Sequence, residues 1–232
     1  MSFNSQYIVV IVLFLSAFNF CQGKDLTKIY GGGPALQNET LHQISIRIIE
    51  NEEAEGFGEG HNCGGTLISP LIVLTAAHCM YKRVFSLIPP FYKFEEYELD
   101  ELYIVMGTLN RTERTNNTIV RATAAWKIHE NYDREDMPFD IALIKLNESV
   151  PLDIPTIRPL TNLASTRVAA GTNCKVSGWG SIENNTFPEL LLSVDVPIVD
   201  MALCNSTDSY AGILDDGMLC AGNMGEGLID SC

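Results

Sequence analysis

Two stretches of this chain carry side chains that could move a proton. In CGGTLISPLIVLTAAHC, which runs from Cys63 to Cys79, His78 lies beside a cysteine at the end of a predicted strand pair. An imidazole with an ordinary pKa of about 6.5 can accept and return a proton near neutral pH. In DIALIKL, Asp140 opens an apolar strand, and a buried carboxylate can hold an imidazole in one tautomer and stabilise its protonated form. Each residue also has a structural interpretation, as a packed histidine at a strand end and as an ordinary strand-start acid.

The elements that must position these residues are predicted to be β-strands. The chain has 232 residues, 46% of them hydrophobic, which is enough for one large domain or two small ones. In ISIRII, three isoleucines alternate with Ser45 and Arg47, the period-2 pattern of a half-buried strand. Further short strands are predicted at TLIS, LIVLT, LYIVM, IVRATAA, IALIKL and LLLSVDV. The sequence therefore predicts an all-β chain built as barrels or sandwiches.

Four segments, in order, resemble the signatures of the trypsin-like serine proteases of the chymotrypsin fold (peptidase family S1). They are IYGGGPA after Lys28, LTAAHC, DIALIKL, and KVSGWG followed by MLCAG and DSC. The resemblance covers residues 28 to 232 and implies two Greek-key antiparallel β-barrels. The first is expected over about residues 29–145 and the second, in part, over about residues 160–232.

The resemblance also implies roles for individual residues. It makes His78 the general base of a Ser-His-Asp mechanism and Asp140 the acid that orients it, although Phe139 stands where the family usually has Asn. Asp230 is expected at the base of the primary specificity pocket, where its carboxylate favours cleavage after Lys or Arg. The bond between Lys28 and Ile29 matches the activation cleavage of a zymogen. Expected partners are protein or peptide substrates with Lys or Arg at the scissile bond, an activating protease and protein inhibitors.

The nucleophilic serine is missing from this pattern. In the family, DSC continues into a segment of the form QGDSGGP, and the 232 residues contain no such segment. We therefore expect a truncated chain with an incomplete second barrel and no peptidase activity as it stands. The alternative is a non-catalytic protease homologue that binds partners or regulates a cascade. The resemblance also implies two disulfides, Cys63–Cys79 and Cys204–Cys220, and two cysteines left unpaired by truncation, Cys174 and Cys232.

The N-terminal segment has the features of a secretory signal. Residues 1–23 hold an apolar run from Ile8 to Phe20, shorter than the roughly 20 residues needed to span a bilayer. Cys21 and Gly23 suit the −3 and −1 positions of a signal-peptidase site. Residues 24–28 then form a short activation propeptide before a peptidase domain at 29–232, and an uncleaved signal anchor is the alternative. Six N-x-[ST] sequons favour a secreted, extracellular glycoprotein: Asn38, Asn110, Asn116, Asn147, Asn184 and Asn205.

The charge of the chain limits the kinds of partner that it can bind. A net charge of −14 argues against binding to nucleic acid or to anionic membranes, since both need a basic surface. The acidic stretches ENEEAEGFGE (50–59) and FEEYELDE (94–101) are expected to be solvated loops. The loop GTLNRTERTNN (107–117) lacks the carboxylates with which calcium-binding trypsins hold their ion, so we expect no structural calcium. No other metal and no cofactor is expected, and the protein should be a monomer.

Overall fold

Strands make up most of the regular structure in a computed structural model that describes residues 32–135, 137–182, 186–207, 209–215 and 217–222. The helices are short: α1 (Ile49–Glu55), α2 (Met201–Cys204) and 3-10 helices at Gln37–Glu39, Ala77–Met80 and Leu99–Glu101. The strands, in chain order, are β1 (Gly33–Pro34), β2 (Gln43–Ile48), β3 (His61–Ser69), β4 (Ile72–Thr75), β5 (Tyr81–Phe85), β6 (Tyr92–Glu96), β7 (Leu102–Met106), β8 (Ile119–Ile128), β9 (Ala142–Leu146), β10 (Asn173–Gly178), β11 (Leu192–Val199) and β12 (Cys220–Ala221).

Six strands close into a barrel in the order β2-β3-β4-β9-β8-β7, with every neighbouring pair antiparallel. Residues of β9 alternate between buried and exposed, as expected when one face of a strand points into a barrel. The barrel interior is a continuous apolar core that includes Ile44, Ile46, Leu67, Val73, Ile104, Ile144 and Leu146. The predicted all-β fold class is confirmed, and the closed barrel agrees with a chymotrypsin-like architecture.

Three strands of the second half of the chain and the N-terminal strand β1 form a smaller sheet. Strands β1, β11 and β10 lie side by side, and β12 pairs with β11. Val194 and Val196 of β11 form the buried centre of this sheet. Trp179 is also buried, and its indole N–H donates to the carbonyl oxygen of Leu109, 3.0 Å away, in the segment after β7. This hydrogen bond ties the sheet to the barrel.

The strand predicted at ISIRII is present as β2, but the prediction that it is half-buried is wrong. Ser45 and Arg47, which should face away from the core, are 1% and 0% exposed. The reason is tertiary: the acidic stretch that should be a solvated loop forms α1 instead and turns Glu52 inward, to within 3.2 Å of the Arg47 guanidinium. Both faces of β2 are therefore covered.

The second acidic stretch, 94–101, lies on β6 and in the following 3-10 helix. β5 and β6 form a two-stranded hairpin outside the barrel. Within the described part of the chain, no helix has the length and apolar character needed to cross a membrane.

Candidate active site

His78 reaches the surface because its neighbours are buried. β4 runs into the 3-10 helix Ala77–Met80, in which Ala77, Cys79 and Met80 all face the core. A disulfide joins Cys79 to Cys63 on β3 and anchors this short helix to the barrel wall. His78 is the residue of the turn that this packing leaves partly exposed, with 43% of its side chain accessible.

Asp140 comes to His78 through the pairing of β4 with β9. Thr75 at the end of β4 lies opposite Ala142 at the start of β9. His78 lies three residues beyond Thr75, and Asp140 lies two residues before Ala142. Both are therefore at the same end of the β4–β9 pair. Residues 62 positions apart in the sequence therefore meet at one edge of the barrel.

His78 and Asp140 make a double contact. The backbone N–H of His78 donates to Oδ1 of Asp140 at 2.8 Å, and His78 Nδ1 lies 2.7 Å from Oδ2. An ionised carboxylate only accepts hydrogen bonds, so Nδ1 carries a proton, and in the neutral imidazole the lone pair is then on Nε2. The carboxyl group is 24% exposed. The arrangement holds an imidazole in the tautomer that can accept a proton at Nε2.

The surroundings of Nε2 do not suit a metal ion. Among the described residues, its sulfur neighbours are Cys79 Sγ at 3.5 Å and Cys63 Sγ at 3.9 Å. The three groups lie close enough together to resemble a ligand set. Both sulfurs, however, are joined in the disulfide, and the thiolate form of cysteine is the metal ligand. Nε2 therefore offers proton transfer and not metal coordination.

Several predicted site residues lie outside the described residues: Lys28, Ile29, Asp230, Cys232 and Asn184. Their roles stay predictions. The second disulfide, between Cys204 and Cys220, is present and links α2 to β12. Cys174 on β10 is half-buried and free, with no disulfide partner in the described part of the chain.

The five described sequons differ in their surroundings. Asn38, Asn116 and Asn147 are exposed, as an acceptor for a glycan must be. Asn205 is half-buried, and its side-chain amide both donates to the carbonyl oxygen of Leu214 and accepts from the N–H of the same residue. Asn110 is also half-buried, and its Oδ1 accepts from the N–H and hydroxyl of Thr112.

Sequence reasoning missed a buried polar cluster on the far side of β2. Glu52 accepts hydrogen bonds from the Arg47 guanidinium, the N–H groups of Gly58 and Gly60, and the hydroxyl of Tyr103. Burial, followed by the hydrogen bond to Glu52, raises the pKa of Tyr103 to about 12. The sequence signal was weak, because ENEEAE has the composition of a solvated surface.

His61 belongs to the same cluster. Its Nδ1 lies 2.7 Å from the hydroxyl oxygen of Ser45, which in turn accepts a hydrogen bond from Arg47 Nε at 3.1 Å. Burial first, then the positive charges of Arg47 and Arg111, lowers the pKa of His61 to about 4. The ring is therefore neutral at pH 7 and plays a structural part.

Comparisons with known proteins show the family of the chain. The family model described as "Trypsin" matches residues 29–232. The chain is 32% identical to anionic trypsin of the dog, Canis lupus familiaris, over 97% of this chain and 78% of the relative. It is similar to trypsin eta of Drosophila melanogaster, at 29% identity over 97% of this chain and 78% of the relative. Trypsin-3 of Salmo salar is 32% identical over 88% of this chain and 73% of the relative.

Proposed function

Because this chain belongs to the trypsin family of serine proteases, we propose that His78 and Asp140 are the base and the orienting acid of an endopeptidase that cleaves after Lys or Arg. The observation that carries the proposal is the double hydrogen bond between the two residues. It holds the neutral imidazole in the tautomer whose lone pair is on Nε2. A histidine kept only for packing would not need a carboxylate to set its tautomer.

The proton follows a short path in this mechanism. As a serine hydroxyl attacks the scissile carbonyl carbon, Nε2 of His78 takes the hydroxyl proton. The imidazolium that forms is stabilised by the Asp140 carboxylate, 2.7 Å from Nδ1. His78 then returns the proton to the leaving amine, which departs as the C–N bond breaks. Hydrolysis of the acyl-enzyme by water repeats the two transfers.

Substrate choice is assigned to Asp230 from its place in the sequence pattern. A carboxylate at the base of a narrow pocket pairs with a guanidinium or an ammonium, and it leaves an apolar side chain facing an unpaired charge. Activation is assigned to cleavage between Lys28 and Ile29, by a tryptic activator or by the protein itself. Protein inhibitors that present Lys or Arg would compete for the same pocket.

We also propose a secreted, monomeric glycoprotein. Residues 1–23 would serve as the signal peptide, 24–28 as the propeptide and 29–232 as the peptidase domain, with barrels over about 29–145 and 160–232. Asn38, Asn116 and Asn147 are the preferred glycan acceptors because they are exposed. These 232 residues alone should show no turnover, since no QGDSGGP segment is among them.

The test begins with the transcript that encodes the chain. Reading beyond the codon for Cys232 distinguishes the two functional classes. A frame that encodes QGDSGGP supports the endopeptidase, and Gly in place of its Ser supports a non-catalytic homologue that binds partners. A stop codon directly after Cys232 would contradict the endopeptidase proposal.

A hydrolysis assay then tests the residues. Chromogenic peptides ending in Arg or Lys should be cleaved by the chain that carries the serine segment, and not by residues 1–232. His78→Ala should remove turnover, and Asp230→Ser should remove the preference for Arg and Lys. Asp153→Ser, at an exposed acid, is the matched control and should change neither. Turnover that survives His78→Ala would refute the assignment.

A further inference from the structure

The residue before Asp140 holds a backbone conformation that its side chain disfavours. Phe139 has a φ of 53°, which lies in the left-handed region. A bulky residue there is an outlier, because Cβ is crowded against the following carbonyl oxygen; glycine or asparagine is the usual occupant. Phe139 is also 43% exposed, so burial in the core does not hold it. Another contact must offset the strain.

That contact is a stack on His129. The two rings are nearly parallel, with an interplanar angle of 6° and centroids 4.7 Å apart. His129 is itself held: its Nδ1 accepts from the N–H of Asn131 at 3.2 Å, and its backbone N–H donates to the carbonyl oxygen of Ile141 at 3.0 Å. Phe139 therefore rests on a ring that the backbone N–H of Asn131 helps to orient, on a residue whose own backbone is bonded to Ile141.

Asp140 lies in the chain between Phe139, which stacks on the His129 ring, and Ile141, which is bonded to the His129 backbone. The N–H of Ile141 donates to the carbonyl oxygen of Phe139 at 2.6 Å, which closes a three-residue turn centred on Asp140. In so tight a turn, the direction of the Asp140 Cα–Cβ bond depends on the backbone of Phe139. That bond carries the carboxylate whose two oxygens contact His78.

We propose that Phe139 is a positioning residue: its stack on His129 holds the strained backbone in the orientation at which both carboxylate oxygens of Asp140 reach His78. The effect on turnover rests on the proposed function; the effect on geometry does not. If Phe139 were a surface aromatic without this role, its replacement by glycine would have the opposite outcome. Glycine would relieve the strain and leave the contact between His78 and Asp140 unchanged.

The first measurement follows the proton on His78 Nδ1 by NMR in the 232-residue chain. Phe139→Gly should speed the exchange of that proton with water by about threefold to tenfold, the range expected for loss of one aromatic stack. The midpoint of thermal unfolding should not fall, because the strain is removed at the same time. Faster exchange without lower stability separates positioning from a general structural role. Unchanged exchange in Phe139→Gly would overturn the proposal.

A matched control lies two residues upstream. Met137 also has a positive φ, of 60°, and its sulfur accepts a weak hydrogen bond from the Tyr132 hydroxyl at 3.6 Å. Met137→Gly removes a comparable backbone strain without touching the stack. Its His78 proton should exchange at the parent rate. An acceleration equal to that of Phe139→Gly would assign the effect to loop flexibility and overturn the proposal.

The other side of the stack gives an independent variant. His129→Ala removes the ring but keeps the backbone hydrogen bond to Ile141, so it should reproduce the faster exchange. Phe139→Gly combined with His129→Ala should speed the exchange of the His78 proton no more than either change alone, because both remove the same ring stack. Phe139→Tyr and His129→Tyr, each made separately in the parent chain, keep two stacked rings. The His78 proton should then exchange as slowly as in the parent. If Phe139→Gly fails to fold, the comparison of His129→Ala with His129→Tyr decides the question.

Turnover separates this proposal from the proposed function. In a chain that cleaves peptides, Phe139→Gly should lower kcat about threefold to tenfold with KM unchanged, because a misplaced Asp140 affects the protonated transition state and not substrate binding. If the parent chain with its serine segment has no turnover, the proposed function fails and the NMR result still decides the role of Phe139. If turnover is present and neither exchange nor kcat changes, only the positioning role fails.

Discussion

Two contacts between a nitrogen group and a carboxylate, one beside β2 and one at the edge of the barrel where β4 ends and β9 begins, show how burial separates a structural from a chemical role. Arg47 and Glu52 have side chains that are 0% and 5% exposed, with a closest contact of 3.2 Å. His78 and Asp140 are 43% and 24% exposed and approach to 2.7 Å. Each pair joins a nitrogen base to a carboxylate, and in each the carboxylate also accepts from backbone N–H groups.

The buried pair has no unused polar atom with which to do chemistry. All four donors to Glu52 come from the protein, and Arg47 also donates to Ser45 and to the carbonyl oxygen of Arg111. Such a pair holds structure together, since full hydrogen bonding offsets the cost of removing two charges from water. The partly exposed pair occupies Nδ1 of His78 and leaves Nε2 as the atom that can accept a proton, which is the requirement for a general base. Exposure and an unused nitrogen therefore distinguish the candidate catalytic pair.

The largest expected effect on stability comes from removing the buried carboxylate. Glu52→Ala should lower the free energy of unfolding by about 3–5 kcal/mol, because it leaves the Arg47 charge buried and unpaired. Urea denaturation of the 232-residue chain measures the change. Glu53→Ala, at an exposed position of the same helix, is the control and should change the free energy by less than about 0.5 kcal/mol.

A double variant sharpens this result. Arg47→Met combined with Glu52→Leu removes both charges and fills similar volumes, so it should be more stable than Glu52→Ala. Equal losses in Glu52→Ala and Glu53→Ala would show that the buried pair contributes no more than a surface residue.

The second effect is a dependence of stability on pH through His61. Its pKa in the folded state is about 4, below the value of about 6.5 in an unfolded chain. The unfolded state therefore binds more protons, and stability falls as the pH drops from about 6.5 to about 4. The full loss is about 3 kcal/mol for a shift of this size. Denaturation midpoints measured across this interval record it.

His61→Asn should flatten this part of the pH profile, because the substituted residue does not titrate. Loss of stability from paired carboxylates at lower pH should remain. An identical slope between about pH 6.5 and 4 in parent and variant would show that His61 is not the group responsible.

The smallest expected effect on stability comes from the exposed pair. His78→Ala should change the free energy of unfolding by less than about 1 kcal/mol, because water competes for a hydrogen bond between two partly exposed side chains. The same substitution should remove turnover in the active chain, so activity and stability move independently. A stability loss as large as that of Glu52→Ala would erase the distinction between the two pairs. Chemical denaturation of both variants under identical conditions provides the comparison.

Much of the barrel could be predicted from local pattern alone. DIALIKL is apolar along most of its length and predicts a strand, which the structure places at Ala142–Leu146 as β9. Its alternation of burial could not be predicted from the pattern, because Leu143 is apolar and yet 40% exposed. The strand at ISIRII was also found, but its burial was predicted wrongly. A period-2 pattern specifies which residues share a face, and it does not specify what covers that face. Here α1 covers it, with Glu52 as the partner for Arg47.

The sequence by itself determined the candidate residues for the chemistry: an imidazole after a strand and a carboxylate before another. These follow from residue type and order, which do not depend on packing. The tertiary structure decided which acidic residue is buried, which histidine stays neutral, and how a strained Phe139 faces His129. Those outcomes depend on contacts between residues far apart in the chain, because burial and neighbouring charges set the cost of ionisation and of strain. A residue's own sequence context contains neither.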